Sequence, residues 1–262
     1  MSNDLLQRRI RHMGPAYRLF YEQPVHLVRG EGAWLFGADG RKYLDCYNNV
    51  ASVGHCHPRV VEALAQQAAC LNTHTRYLHE NVVRYAERLV ATAPGDLSVC
   101  MFTCSGSEAN ELAYRIARAV TGNDGAVVLQ NAYHGTARTT FELSTDDYPD
   151  DQRPAYVAAA TAPNDYRGPY RRGAQGLGER YAGAVGDALN TLSQHGLAPA
   201  LFIADGVYST NGVLTPPPAY LQECYRRIRA AGGLAVADEV QSGLYRLGDH
   251  CWAFEDSAVV PD

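Results

Sequence analysis

The stretch GLAVADEVQSGLYRLG, from Gly233 to Gly248, contains an apolar run that ends abruptly in two acids, Asp238 and Glu239. A short apolar run bounded by glycine is typical of a buried strand. Because an unpaired buried charge is costly, a carboxylate at the end of such a strand normally has a cationic partner. The stretch therefore predicts a buried strand whose carboxyl end carries a charged site.

Three further apolar runs precede this one and alternate with stretches of helical periodicity. They are SVCMFT (98–103), AVVLQ (126–130) and ALFIAD (200–205). Apolar residues at helical spacing predict four helices, over residues 59–68, 81–91, 109–120 and 220–231. Strands that alternate with helices in this way predict an α/β fold with a mostly parallel sheet covered on both faces.

The chain of 262 residues, 46% of them hydrophobic, is long enough for one large α/β domain or two smaller ones. We predict that residues 1–58, rich in turns and aromatic side chains, are an N-terminal segment of a smaller domain. Within it WLFGADGRKYLDC (34–46) indicates two short strands joined by a DG turn. Residues 59–262 are predicted to form the large domain, with surface loops over 146–154 and 166–180.

Charge and hydropathy argue against several classes of protein. The net charge is −5 and no basic stripe is visible, so we expect no nucleic-acid partner. No apolar run reaches the ~20 residues of a membrane span, and the N-terminus lacks the apolar region of a secretory signal. The seven cysteines include no CxxC pair, which favours reduced thiols in a cytoplasmic protein. His55, Cys56 and His57 match no closed zinc set, so no metal site is predicted.

Small polar residues follow the first apolar run, where Ser105, Gly106 and Ser107 open a helix. Ligands of open parallel sheets bind beyond the carboxyl ends of the strands. Small residues at a helix start present backbone N–H groups and the positive end of the helix dipole to an anion. The three residues therefore suit a phosphate group, although taken alone they also fit an ordinary turn and helix cap.

The other runs place complementary groups at the same predicted edge. Tyr133 follows the second run and could stack on a flat ring. Asp238 could keep a ring nitrogen protonated, and Gln241 could bind a hydroxyl group on the same ring. Phosphate, planar ring, basic nitrogen and phenolic hydroxyl together describe pyridoxal 5'-phosphate.

Long motifs resemble those of the class III, fold type I pyridoxal-phosphate enzymes over nearly the whole chain. They are FTCSGSEANELAYRIAR (102–118), NAYHG (131–135) and ADEVQSGLYRLG (237–248). Three other stretches resemble most closely the branch of ethanolamine-phosphate and hydroxylysine-phosphate phospho-lyases and their bacterial relatives. These stretches are YLDCYNNVASVGHCHPRVVEAL (43–64), TRYLHENVVRYAERL (75–89) and NDYRGPYRR (164–172).

The resemblance implies a fold type I large domain, with pyridoxal phosphate as cofactor and a homodimeric assembly. It implies an aminotransferase that acts on a small amine or amino acid, together with a keto acid or aldehyde, through a Schiff base of the cofactor. Two alternatives stay open. One is a phospho-lyase that acts on ethanolamine phosphate or a similar phospho-amine, because both reactions use the same cofactor cradle. The other is a non-catalytic subunit of the same fold.

The resemblance also assigns roles to residues. Gly106 and Ser107 match the phosphate-binding pair, and Val240 should touch the ring face opposite Tyr133. Asp205 stands where the family usually has glutamate on the substrate side, and its shorter side chain weakens that assignment. Two interpretations stay open for four cationic residues. They could form a solvated face, or they could neutralise a phosphorylated substrate; they are Arg76, His79, Arg167 and Arg171.

The lysine that holds the cofactor in this family has no counterpart by resemblance. In the family it follows a segment like the VVPD at 259–262, where this sequence stops. The resemblance therefore implies that the large domain is incomplete at its C-terminal end and that the C-terminal part of the family's fold is absent from these residues. Lys42 is the single lysine among the 262 residues and lies in the predicted N-terminal hairpin. Three explanations follow: the chain is part of a longer enzyme, a second polypeptide supplies the lysine and the rest of the fold, or the protein is a lysine-less paralogue.

Overall fold

The computed structural model describes residues 2–47 and 52–262, and the chain divides into two compact units between Leu78 and His79. The elements of the first unit are helix α1 (Ser2–Met13), strands β1 (Leu27–Glu31), β2 (Trp34–Gly37) and β3 (Lys42–Leu44), and helix α2 (Pro58–Cys70). The strands form an antiparallel sheet in the order β1-β2-β3. The predicted pair of strands around the DG turn is thus confirmed as β2 and β3.

Lys42 makes a cation–π contact within this sheet, because its ammonium lies 3.9 Å from the centroid of the Trp34 ring. Helix α2 confirms the predicted helix that begins near Arg59. This helix lies in the first unit. That residues 1–58 are a segment of a smaller domain, and residues 59–262 the large domain, stays a prediction.

The second unit contains the parallel sheet. Its elements are α3 (Glu80–Val90), α4 (Gly106–Thr121), β4 (Gly125–Leu129), α5 (Arg138–Leu143), β5 (Val157–Ala160), α6 (Leu177–Gln194), β6 (Pro199–Asp205), α7 (Tyr220–Ala230), β7 (Leu234–Asp238) and two short 3-10 helices, Asp150–Gln152 and Ala253–Ser257. The four strands lie in the order β5-β4-β6-β7, and each neighbouring pair is parallel.

Helices cover both faces of this sheet. Alternate side chains of each strand point to opposite sides, so each strand contributes to two separate cores. On one face Val127 and Phe202 pack in a core with buried side chains of α6 and α7. On the other face Val128 and Ile203 pack with Tyr114 of α4. The predicted fold class, a mostly parallel sheet between helices, is confirmed. Within the described ranges no helix is long and apolar enough to cross a bilayer.

One predicted strand was wrong. Residues 98–103 form no strand, and Val99 and Met101 are 83% and 61% exposed. A strand needs a neighbour to accept and donate its backbone hydrogen bonds, and the described part of the chain places none beside this segment. Apolar composition alone therefore predicted a strand at 98–103, but this segment has no neighbouring strand to pair with among the described residues.

Strand β5 and helix α6 were missed for related reasons. The sequence of β5, VAAA, has a single β-branched residue, and only its place beside β4 makes it a strand. The loop predicted over 166–180 is wrong at its end, because α6 already begins at Leu177. Glycines at 173, 176 and 178 hid this start.

The hydroxyl of Tyr181 fixes the loop between β5 and α6. It accepts the Tyr170 N–H at 3.3 Å, and its oxygen lies 2.6 Å from the Asn164 carbonyl and 2.8 Å from the Tyr170 carbonyl. Tyr181→Phe should therefore lower the free energy of unfolding by about 1–2 kcal/mol in urea titrations. Tyr208→Phe is the matched control, since Tyr208 is equally buried and its hydroxyl has no hydrogen-bond partner among the described residues. Equal losses in the two variants would contradict this explanation.

Candidate active site

Helix α4 begins at the carboxyl edge of the sheet with part of its first turn uncapped. Ser105 is the N-cap, and its hydroxyl accepts the Glu108 N–H at 3.2 Å. In the described part of the chain, the N–H groups of Gly106 and Ser107 meet no acceptor. A 16-residue helix that starts with free N–H groups presents a positive end, so this turn can bind an anion.

Two loops pack closely against this turn. A Cβ added to Gly106 would lie 2.7 Å from Cγ2 of Val240, which follows β7. The Ser107 hydroxyl accepts the Thr136 N–H at 3.1 Å, and a Cβ added to Gly135 would lie 2.5 Å from the same hydroxyl. At Gly135 the close approach of Ser107 requires glycine, whereas at Gly106 any side chain would displace Val240. The loops after β4 and β7 thus meet at the start of α4.

Asp238 lies at the centre of a hydrogen-bond network that joins these segments. Its Oδ2 accepts the Asn110 side-chain N–H at 2.8 Å and lies 2.8 Å from Nδ1 of His134. Its Oδ1 accepts the Val240 N–H at 3.1 Å. Asn110 also donates to the His134 carbonyl at 3.0 Å, so one amide ties α4 to both the loop and the acid.

The carboxyl of Asp238 keeps its charge although its side chain is only 6% exposed. Burial raises its pKa, but the hydrogen bond and charge of His134, with the donors Val240 and Asn110, outweigh burial and hold the pKa below its ordinary value. An ionised carboxylate oxygen can accept more than one hydrogen bond. Oδ1, which accepts one in the described part of the chain, can therefore take a further cationic donor.

His134 and Asn110 were not predicted from the sequence. The His134 side chain is fully buried, and its Nε2 has no partner among the described residues. Because Nδ1 faces the carboxylate, it carries a proton and donates to Oδ2 of Asp238, while the backbone N–H donates to the Ser144 hydroxyl at 2.8 Å. One signal was available: Asn110 lies four residues after Gly106, on the same face of α4.

The remaining residues predicted for the cofactor lie on the same edge of the sheet. The Tyr133 side chain is 37% exposed and Val240 is 62% exposed, so both offer apolar surface to a ligand. Gln241 is half-buried. The structure thus brings the phosphate-type turn, Val240 and Asp238 into direct contact, and Tyr133 precedes His134 in the loop after β4.

The residues predicted for the substrate side are less closely joined. Asp205 is the register partner of Asp238, and its carboxylate accepts the N–H groups of Val207 and Ser209 and the Ser209 hydroxyl. Arg167 is exposed in the loop after β5, and His79 caps α3 by accepting the Asn81 N–H. Arg76 belongs to the first unit. Their substrate roles stay predictions.

The lowered pKa of Asp238 should appear in the pH dependence of stability. Its stabilising contribution is complete above the ordinary pKa of about 4 and is lost as the pH falls through the folded-state value. Asp238→Asn should therefore make the acid loss of stability shallower in urea titrations at a series of pH values. Asp146→Asn is a control with the opposite expected effect, a steeper acid loss of stability, because burial, helped by Asp147, raises the pKa of the Asp146 carboxyl. A steeper loss in Asp238→Asn would contradict the network.

Sequence comparison finds relatives along the whole chain. The family described as aminotransferase class-III matches residues 20–262. The *Drosophila melanogaster* protein named alanine–glyoxylate aminotransferase 2-like is 41% identical over 268 residues, which cover 100% of this chain and 54% of the fly protein. The *Caenorhabditis elegans* ethanolamine-phosphate phospho-lyase homolog 1 is 35% identical over 276 residues, 100% of this chain and 59% of the worm protein. The chain spans little more than half the length of these curated relatives.

Solved structures agree with the sequence relatives. A phospholyase from *Arthrobacter*, in complex with phosphoethanolamine, has 43% identity and a TM-score of 0.92, with 98% of this chain and 61% of that chain covered. An (S)-enantioselective omega-transaminase from Thermomicrobium roseum has 27% identity and a TM-score of 0.81, and the match covers 100% of this chain and 62% of the transaminase chain. The protein whose Asp238 and α4 form this site therefore belongs to the class-III aminotransferase family.

Proposed function

We propose that the native protein binds pyridoxal phosphate at the carboxyl edge of the parallel sheet and transfers an amino group from a small amine or amino acid to a keto acid or aldehyde. The observation that carries this proposal is the buried, ionised Asp238, whose Oδ1 can accept a further donor beside the free N–H groups in the first turn of α4. Membership of the class-III family supports the same cofactor.

The residues at this edge fit each part of the cofactor. Ser105, Gly106 and Ser107 would hold the phosphate group, through free N–H groups and the positive end of α4. Gln241 would bind the ring hydroxyl. Asp238 would hold a proton on the ring nitrogen, because its lowered pKa favours the ionised carboxylate that such a proton pairs with. Bound pyridoxal phosphate supplies an electron sink for negative charge that develops beside the amine nitrogen.

The surrounding residues would orient these groups and exclude water. His134 and Asn110 both donate to Oδ2 of Asp238, which leaves Oδ1 for the ligand. Tyr133 and Val240 would cover the two faces of the ring with apolar surface. On the substrate side we keep Asp205, Arg76, His79 and Arg167 as proposed contacts.

A second candidate, elimination of phosphate from a phospho-amine such as ethanolamine phosphate, is favoured by one specific observation. The *Arthrobacter* phospholyase resembles this chain at 43% identity and a TM-score of 0.92, against 27% and 0.81 for the *Thermomicrobium* transaminase. Both reactions need the same residues around the ring. They differ in whether a leaving group is present on the carbon next to the one that carries the amine.

We propose further that the native protein is a cytoplasmic homodimer. Family resemblance supports the dimer, and the absence of a CxxC pair among seven cysteines supports a reducing compartment. Light scattering of the purified native protein tests the dimer, and a monomer at assay concentration would exclude it.

The proposal requires a lysine other than Lys42, whose ammonium is stacked on Trp34 in the first unit. Native protein mixed with pyridoxal phosphate should show a visible absorbance band that borohydride removes, and peptide mapping should find the reduced cofactor on a different lysine. Lys42→Arg should keep the band. A native protein that stays colourless with added cofactor would contradict the proposal and favour a non-catalytic subunit.

Two assays separate the candidate reactions. Transfer predicts that amine consumption depends on an added keto acid, with no release of inorganic phosphate. Elimination predicts phosphate release from ethanolamine phosphate without a keto acid. Whichever rate is observed should fall about a hundredfold in Asp238→Asn, the size of loss typical when one preorganised electrostatic contact is removed. Phosphate release would overturn the transfer assignment, and its absence from every phospho-amine would overturn elimination.

A further inference from the structure

Glu239, the acid that follows Asp238, binds a different part of the molecule. Its Oε2 accepts the Ala253 N–H and the Ser242 hydroxyl, both at 3.0 Å, and its Oε1 accepts the Phe254 N–H at 3.1 Å. Ala253 and Phe254 are the first residues of the 3-10 helix Ala253–Ser257. The carboxylate therefore closes the base of one loop, residues 240–252, which we name the β7 loop.

The β7 loop is closely packed at this base. A Cβ added to Gly243 would lie 2.9 Å from the Glu239 carbonyl and 3.2 Å from the Trp252 ring. A Cβ added to Gly206, in the loop after β6, would lie 2.6 Å from Cβ of Ala253. Such contacts leave little room for the loop to shift while the carboxylate holds both of its ends.

The first residues of the β7 loop are those that meet the candidate site. Val240 donates its N–H to Asp238 and places its side chain against Gly106. Gln241 follows directly. Glu239 itself is bound to Ser242, Ala253 and Phe254, so any influence on the site must pass through the position of the loop.

We infer that Glu239 is a positioning residue, whose carboxylate closes the β7 loop and thereby sets where Val240 and Gln241 meet the cofactor. This inference rests on the proposed function, because it concerns the same site. It adds a residue that touches neither cofactor nor substrate.

The chemistry of the contact makes the carboxylate difficult to replace. Three donors converge on two oxygens, and an amide offers one oxygen and an NH2 group, so glutamine would set its NH2 against one of the donors. Burial raises the pKa of Glu239, and the charge of Asp205 raises it further. The three hydrogen-bond donors lower it by less, so the pKa stays above its ordinary value. Burial also raises the pKa of the Tyr225 hydroxyl, and the charge of Glu239 raises it further.

The test compares variants of the native protein by titration with pyridoxal phosphate, followed by absorbance. Glu239→Gln should weaken cofactor binding about tenfold and shift the absorbance maximum of the bound cofactor, as expected when one buried hydrogen bond to a charged group is lost. Ser242→Ala, which removes one donor and no charge, should have a smaller effect in the same direction. Glu223→Gln is the matched control: this part-buried carboxylate pairs with Arg226 and Arg227 on α7 and should leave affinity and spectrum unchanged.

A double-mutant cycle with Val240→Ala separates positioning from general loss of stability. If Glu239 acts through the β7 loop, Glu239→Gln should cost less affinity in the Val240→Ala background than in the wild type. Additive losses, or equal affinities and spectra of wild type and Glu239→Gln, would overturn the inference alone. Failure of the wild type to bind pyridoxal phosphate would overturn the proposed function and this inference with it. If Glu239→Gln does not fold, Ser242→Ala serves as the test. A weaker affinity for pyridoxal phosphate in Ser242→Ala would support the inference, and an unchanged affinity and spectrum would overturn it.

Discussion

The charge of one buried carboxylate, Asp238, is the constraint on which the candidate site depends. A buried charge must be satisfied, and its donors come from three separate parts of the chain: Asn110 from α4, His134 from the loop after β4, and Val240 from the β7 loop. Satisfying one charge therefore fixes three segments around one point. The first turn of α4, which carries the free N–H groups of Gly106 and Ser107, is held at the same point because Gly106 admits Val240 at close range.

Three neighbouring acids at this edge of the sheet perform different tasks. Glu239 accepts backbone N–H groups of the 3-10 helix Ala253–Ser257 and so acts within the protein, whereas Asp205 holds the loop after β6 and also stays a proposed substrate contact. Asp238, the register partner of Asp205, keeps one oxygen with spare capacity toward the site. A cluster of acids at the end of a sheet is thus partly loop anchorage and partly binding chemistry, and the hydrogen-bond partners tell them apart.

Strands β4, β6 and β7 and the edge they share could be predicted from the sequence, whereas the donors of Asp238 could not. Parallel strands end on the same side, so residues after β4, β6 and β7 had to share an edge. Which side chains meet there depends on packing directions that periodicity does not encode, so His134 and Asn110 were missed. Residues 98–103 failed as a predicted strand, and β5 was overlooked, because pairing with a neighbour decides whether a short run is a strand.

In the proposed site the Asp238 carboxylate keeps the ring nitrogen of pyridoxal phosphate protonated. The most direct measurement is the nitrogen-15 chemical shift of ring-labelled cofactor bound to the native protein at neutral pH. We expect the shift of a protonated ring nitrogen in the wild type and that of an unprotonated ring nitrogen in Asp238→Asn. An unprotonated ring nitrogen in the wild type would contradict this role of Asp238.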